Sequence, residues 1–242
     1  MKGRFYLLFF GIIASLGSQS FGQLVANEED WTELPRSIHP GDSAVPPSDA
    51  VVLFDGKDLS EWQTIDGKEA GWLVKNELLE IVPGSGSIYS KQKFGDVQLH
   101  VEWMIPEKDV ENGNSGIYLQ GRYEVQIYNS YRDASKIYYN GQTGSLYKQY
   151  KPLVNASRPR GTWDTFDIIF TAPRFEDDGS LKTPAIFTVF HNGILIQYNS
   201  RLKGITTHEK TTAYESHGLK QPLMIQDHGD RVLFRNIWIR EL

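Results

Sequence analysis

The chain has 242 residues, with 25 Lys and Arg against 30 Asp and Glu and a formal net charge of −5. No block of basic residues stands out, which excludes the electrostatic footprint of a nucleic-acid binder. It has no Cys, which excludes a disulfide framework, a thiolate metal site and a lipobox cysteine for acylation.

Lys2 and Arg4 precede an apolar run from Tyr6 to Leu16, and Ser20-Phe21-Gly22 offers a small-x-small cleavage site. This is the grammar of a secretory signal peptide, so residues 1–22 are expected to be cleaved on export to a bacterial periplasm or cell surface. The run is shorter than the roughly 20 residues of a bilayer span, so no stable membrane insertion is expected after cleavage. Residues 23–47 are acidic, rich in Pro and Ser and without periodicity, and are expected to form a flexible leader. Residues 48–242 are then long enough for one all-β domain with a large core.

From Val51 onward the apolar residues fall at sheet spacing. Strands are expected at Val51 to Phe54, Trp72 to Val74, Leu78 to Val82, Val97 to Ile105, Gly116 to Gln120 and Tyr123 to Tyr128. Further strands are expected at Phe166 to Thr171, Ile186 to Phe190, Ile194 to Tyr198, Leu223 to His228 and Leu233 to Ile239. Asp55-Gly56, Asn192-Gly193 and Asp177-Asp178-Gly179 supply turn residues that tolerate positive φ, and "VFHNGILI" is a hairpin signal. No 3.6-residue periodicity lasts long enough for a major helix, and residues 131–162 read as a long ordered excursion across a sheet. So many short strands in one domain predict two packed antiparallel sheets, a jelly-roll sandwich.

Strand parity assigns faces. Val97, Leu99, Val101, Trp103 and Ile105 share one face of their strand, leaving Gln98, His100, Glu102 and Met104 on the other. Tyr123, Val125 and Ile127 point to the core, and Glu124, Gln126 and Tyr128 away from it. Leu223 and Ile225 point inward, while Met224, Gln226 and His228 share the other face. If these strands are neighbours, carboxylate, amide and imidazole meet on one surface. An antiparallel sheet normally has one wet face, so polar residues there are also expected without any site. The mixture of short acceptors and amides with Tyr and Met nevertheless resembles the lining of a polyol-binding groove. The aromatic share of 12% admits the same two uses, packing between sheets or stacking on sugar rings.

"NGNSGIYLQG" adds Gly113 and Gly116 for a tight turn, with Asn114 and Ser115 leading a strand that carries Tyr118 and Gln120 on one face. Asn155-Ala156-Ser157 matches a glycosylation acceptor but reads as loop, and Asp177 and Asp178 lack the spacing of a calcium loop.

The stretches "LFDGKDLSEWQ" (53–63), "GNSGIYLQGRYEVQIYNS" (113–130), "APRFEDDGSLKTPAIFTVFHNGILI" (172–196) and "LMIQDHGDRVLFRNIWIREL" (223–242) resemble the 3-keto-disaccharide hydrolase domain family, from about Ala50 to the C-terminus. The resemblance implies a concanavalin-A-like lectin/glucanase fold, export by Bacteroidota or related bacteria, a sugar or glycoside substrate, and hydrolysis of glycosides oxidised at C3. A C3 ketone acidifies the C2 hydrogen, so a base can remove it, the enolate can expel the C1 substituent, and water can then add. His228 is the first expected base, since an imidazole is half-neutral near physiological pH. Glu124 or Glu102 could serve with a raised pKa, or could hold a divalent metal with His228 as a further ligand. Asn114, Ser115, Tyr118, Gln120, Gln126, Gln226 and Arg235 are expected to bind substrate, Arg235 also to pair with a carboxylate nearby, and Asp227 to fix the strand end.

Two rival readings stand beside this one. A conventional glycosidase on this fold often carries E-x-D-x-x-E, and that spacing occurs only at Glu28, Asp30 and Glu33 in the leader. A non-catalytic carbohydrate-binding module would use the same aromatics and amides but needs no base.

Overall fold

A computed structural model describes residues 34–42, 45–108, 112–132, 140–208 and 213–242. The chain divides into a unit Met1–Ser37 and a body Ile38–Leu242. The expected signal peptide, most of the expected leader, and Glu28, Asp30 and Glu33 lie outside the described residues.

The body contains β1 (Val51–Phe54), β2 (Trp62–Gln63), β3 (Leu73–Lys75), β4 (Leu78–Glu80), β5 (Ile88–Phe94), β6 (Val97–Met104), β7 (Ser115–Leu119) and β8 (Tyr123–Ile127). It continues with β9 (Asp164–Thr171), β10 (Arg174–Phe175), β11 (Leu181–Thr183), β12 (Ile186–His191), β13 (Ile194–Arg201), β14 (Gln221–Ile225) and β15 (Leu233–Glu241). No helix among the described residues is long and apolar enough to cross a membrane.

The strands form an eight-stranded sheet in the order β13-β12-β9-β6-β15-β4-β3, with β1 also on β15, a five-stranded sheet in the order β2-β5-β14-β7-β8, and a small two-stranded ribbon of β10 and β11. All named pairings are antiparallel. Alternation explains why they pack: Val97, Leu99, Val101 and Trp103 of β6 are buried against a core that also receives Ile117, Tyr123, Val125, Ile127 and Ile225 from the smaller sheet. The expected all-β, two-sheet antiparallel sandwich is the fold observed. Trp62, Trp103, Tyr123, Phe166, Phe170, Phe187 and Phe234 are fully buried, so much of the aromatic content serves packing.

The strand expectations need correction at the short strands β2, β10 and β11, which were not anticipated, and at two longer ones. β5 ("IYSKQKF") was not anticipated, because exposed Lys91, Gln92 and Lys93 interrupt its apolar alternation; backbone pairing to β2 and β14 makes it a strand. β14 ends at Ile225 and not at His228. Gln226 N still donates to Gly116 O at 3.0 Å, but the next carboxylate, Asp227, accepts from Gly86 N and Gly229 N, each at 2.9 Å, and turns the chain out of the sheet. At the loops, Asn155 Oδ1 accepts from Ser157 N and Asp178 Oδ1 from Ser180 N, both local turns.

β8 closes one end of the smaller sheet, and its outer edge is covered by residues 144–147; residues 133–139 of the expected excursion lie outside the described residues. Gly144 N donates to Gln126 O at 2.8 Å, Gln126 N to Ser145 O at 3.0 Å, and Leu146 bridges Val125. Gly144 has φ +78°, and a Cβ there would stand 2.3 Å from Ile196 Cδ1. Gly144→Ala is therefore expected to cost about 2 kcal/mol through strain and overpacking, read by urea denaturation. A change under about 0.5 kcal/mol would show that this covering segment is not held as described.

Candidate functional site

The outward face of the smaller sheet can be read row by row from its register. Tyr118 of β7 pairs Glu124 of β8 and Met224 of β14; Gly116 pairs Gln126 and bonds to Gln226. Gly116 thus leaves a gap between two glutamines. The Glu124 carboxyl leans into it: a Cβ on Gly116 would stand 2.5 Å from Glu124 Oε1 and 3.0 Å from Tyr118 Cε2. One row further along, Asn114 Nδ2 donates to His228 Nδ1 at 3.2 Å, and Asn114 N donates to Asp230 Oδ2 at 2.8 Å, which ties the turn after β14 to the start of β7. This bond to Nδ1 places the proton of the neutral His228 ring on Nε2.

Beyond the covered edge of β8, Thr206 Oγ1 accepts from Glu124 N at 3.1 Å, Thr206 N donates to Arg122 O at 2.8 Å, and Tyr147 N donates to Glu124 O at 3.4 Å. These contacts raise a wall opposite His228. The result is a cleft of ≈ 200 Å³ lined by Asn114, Tyr118, Glu124, Gln126, Tyr147, Thr206, Thr207, His208, Gln226 and His228. Glu124 is the sole carboxylate among those lining residues.

Glu124 is only 3% exposed, and burial pushes its carboxyl up to about 8, against a partial lowering by the Tyr118 hydroxyl. The Gln126 amide is oriented with its nitrogen toward Glu124 Oε1 at 2.7 Å and Ser115 O at 3.1 Å, the orientation that gives each acceptor a donor. Gln226 Nε2 donates to the Tyr118 hydroxyl at 3.3 Å. Burial, and then the adjacent Glu124, push the Tyr118 phenol upward, so it stays a neutral donor. The floor is thus one carboxyl poised near neutrality and held by neutral hydrogen-bonding groups.

Of the residues singled out in the sequence, the cleft gathers Asn114, Tyr118, Glu124, Gln126, Gln226 and His228. Ser115 is buried beneath it and donates to Gln226 O at 2.7 Å, a positioning contact. Gln120 lies elsewhere: it takes φ +56° at the end of β7, and its amide donates to Leu219 O at 2.6 Å. Glu102 and Arg235 also lie elsewhere, on the outer face of the larger sheet, where Arg235 Nε donates to Glu102 Oε2 at 2.7 Å and Asn236 Nδ2 to Oε1 at 2.8 Å. Burial pushes the Glu102 carboxyl up, but Asn236 and Arg235 outweigh it and hold the group below its ordinary value. The pairing of Arg235 with a carboxylate is as expected, but the expected place of Arg235 among the substrate-binding residues and of Glu102 beside Glu124 and His228 is not found, because β6 and β15 belong to the other sheet. The metal set Glu102, Glu124 and His228 therefore does not assemble, and no group of three such ligands is found among the described residues.

Parity missed Tyr147, Thr206, Thr207 and His208. They reach the cleft from irregular segments, which have no period to read.

Residues 49–240 match the family model described as a 3-keto-alpha-glucoside-1,2-lyase-like domain. A candidate glycosyl hydrolase of known structure from Parabacteroides distasonis is 42% identical, with a TM-score of 0.82, covering 88% of this chain and 96% of its own. A second candidate glycosyl hydrolase from the same organism shares the fold at 20% identity, with a TM-score of 0.59 and coverage of 80% and 94%. No curated protein matches the chain.

The raised Glu124 value has a sign for stability. Between the ordinary 4.5 and about 8, the folded state keeps a proton that the unfolded chain releases, so stability falls as pH rises through this window. The full shift corresponds to on the order of 5 kcal/mol. Glu124→Gln removes that loss, so its stability advantage over the parent should grow from pH 5 to pH 9 in paired denaturation curves. A difference that stays constant with pH would mean that Glu124 is not held in a desolvated site.

Proposed function

The chain belongs to the family of 3-keto-alpha-glucoside-1,2-lyase-like domains, and from that premise we propose that it is an exported enzyme cleaving 3-keto-glycosides by base-initiated elimination followed by hydration. Family membership supports a carbohydrate-acting function, and the signal-peptide grammar of residues 1–22 supports export.

One observation carries the reaction class: the cleft holds one buried carboxyl of raised pKa and no second carboxylate among its lining residues. Retaining and inverting glycosidases ordinarily need two carboxyl groups flanking the scissile bond. Elimination next to a ketone needs one base and donors for the enolate. In this reading Glu124, not His228, takes the C2 hydrogen. His228, with Nε2–H as its free donor, faces the oxygen at C3 where negative charge develops. Tyr118 and Gln126 hold the Glu124 carboxyl in place, and Asn114 orients the His228 ring. The enolate then expels the C1 substituent to give the 1,2-unsaturated keto-sugar, and water adds across that bond to complete net hydrolysis.

The test is release of a chromogenic aglycone from a 3-keto-glucoside and from its unoxidised parent. Release from the keto-sugar alone is expected, with kcat/KM rising about tenfold per pH unit up to about pH 8 and then levelling, as the base form of Glu124 accumulates. Glu124→Gln should lower it by about 10³-fold. Activity that falls through that same pH range would make Glu124 an acid and not the base, and equal turnover of the unoxidised parent would reinstate a conventional glycosidase.

A further inference from the structure

Three proton-handling side chains cross the cleft in a row, and the chemistry above uses two. Strand order fixes the row: His228 follows β14, Glu124 stands on β8 two strands away, and His208 comes from the wall beyond the outer edge of β8. The reacting atoms of the sugar are also consecutive, with the ketone at C3, the hydrogen at C2 and the departing oxygen at C1. A ring lying with C3 toward His228 and C2 over Glu124 brings C1 to the side of His208. We propose that His208 is the general acid that protonates the departing aglycone oxygen.

The wall carrying His208 is anchored to the same residue as the base. Thr206 Oγ1 accepts from Glu124 N at 3.1 Å, and Tyr147 N donates to Glu124 O at 3.4 Å. The Tyr147 hydroxyl lies 3.5 Å from His208 Nδ1, the outer limit of a hydrogen bond; in the imidazolium form Nδ1–H donates to that hydroxyl, and Nε2–H is left to carry the transferable proton. On the same wall Thr207 Oγ1 is buried without a hydrogen-bond partner among the described residues, a position that a hydroxyl of the bound glycoside can satisfy.

The step balances without an oxidant or reductant. The C2 proton passes to Glu124, and the electrons of that bond go through the enolate to form the C1–C2 double bond. The C1–O bond breaks with its pair on oxygen, and that oxygen takes the proton from His208. In the hydration that follows, water gives its hydroxyl to C1 and a proton to the imidazole, and Glu124 returns its proton to C2, which restores both groups.

This assignment rests on the elimination proposed above, and the two can fail separately. The experiment is a series of 3-keto-glucosides whose aglycones run from a nitrophenol to a simple alkanol, turned over by the full-length protein, His208→Gln and His228→Gln. His208 is exposed, so its variant should fold, which thermal unfolding checks. An alkoxide needs protonation to leave and a nitrophenolate does not. His208→Gln should therefore lose about 10²-fold in kcat/KM on the alkyl substrate and change within about twofold on the nitrophenyl one. Equal loss on every aglycone, no loss at all, or an aglycone-dependent loss in His228→Gln instead would overturn the role of His208 while leaving elimination intact. Failure of the parent protein to release even nitrophenol from the keto-sugar would overturn the elimination and this role together.

Discussion

The site depends on the burial of one carboxyl, and that burial comes from how the chain closes an open sheet edge. β8 is the last strand of its sheet, a position where unpaired backbone groups and wet side chains are usual. Here the irregular segments around Ser145 and Thr206 supply the missing partners, bonding to the N–H and C=O of Gln126 and to the backbone of Glu124. With the edge closed, water is excluded from the one acid on that strand, and desolvation moves its proton affinity toward neutrality. An acid that would be ionised on an open edge becomes one that can exchange a proton at working pH.

Glu102 shows that burial alone is not enough. It too sits on an outward strand position and is only 8% exposed. The register shift in β15 between Arg235 and Trp238, with Asn236 at φ +46°, brings both Arg235 and Asn236 onto its two oxygens. Fixed donors and a cation keep that carboxylate ionised, so it serves as a link between β6 and β15. Glu124 receives only neutral donors and stays able to accept a proton. The two acids differ in their partners more than in their exposure.

A missing side chain completes the arrangement. At Gly116 the sheet has no Cβ, and the Glu124 carboxyl occupies the space between Gln126 and Gln226. The same row joins "GNSGIYLQG" to "QDHG". Asn114, Gly116 and Tyr118 alternate along β7 opposite Gln126 and Glu124, while Gln226 and His228 continue past β14 on the other side.

Period-2 alternation was enough, from the sequence alone, to establish an antiparallel all-β sandwich and to put Glu124, Gln126, Gln226 and His228 on outward positions, because a strand's faces follow from counting by two. The same counting set Glu102 outward, but it contains no information about which strands are neighbours; pairing is decided by long-range packing, and that placed Glu102 on the opposite side of the sandwich. Nor could it reveal His208, Thr206 and Tyr147, which arrive from segments with no repeating geometry. Residue types and faces were local properties. The proton affinity of Glu124 was not: it exists only once distant pieces of chain close over β8 and remove the water that would otherwise hold its charge.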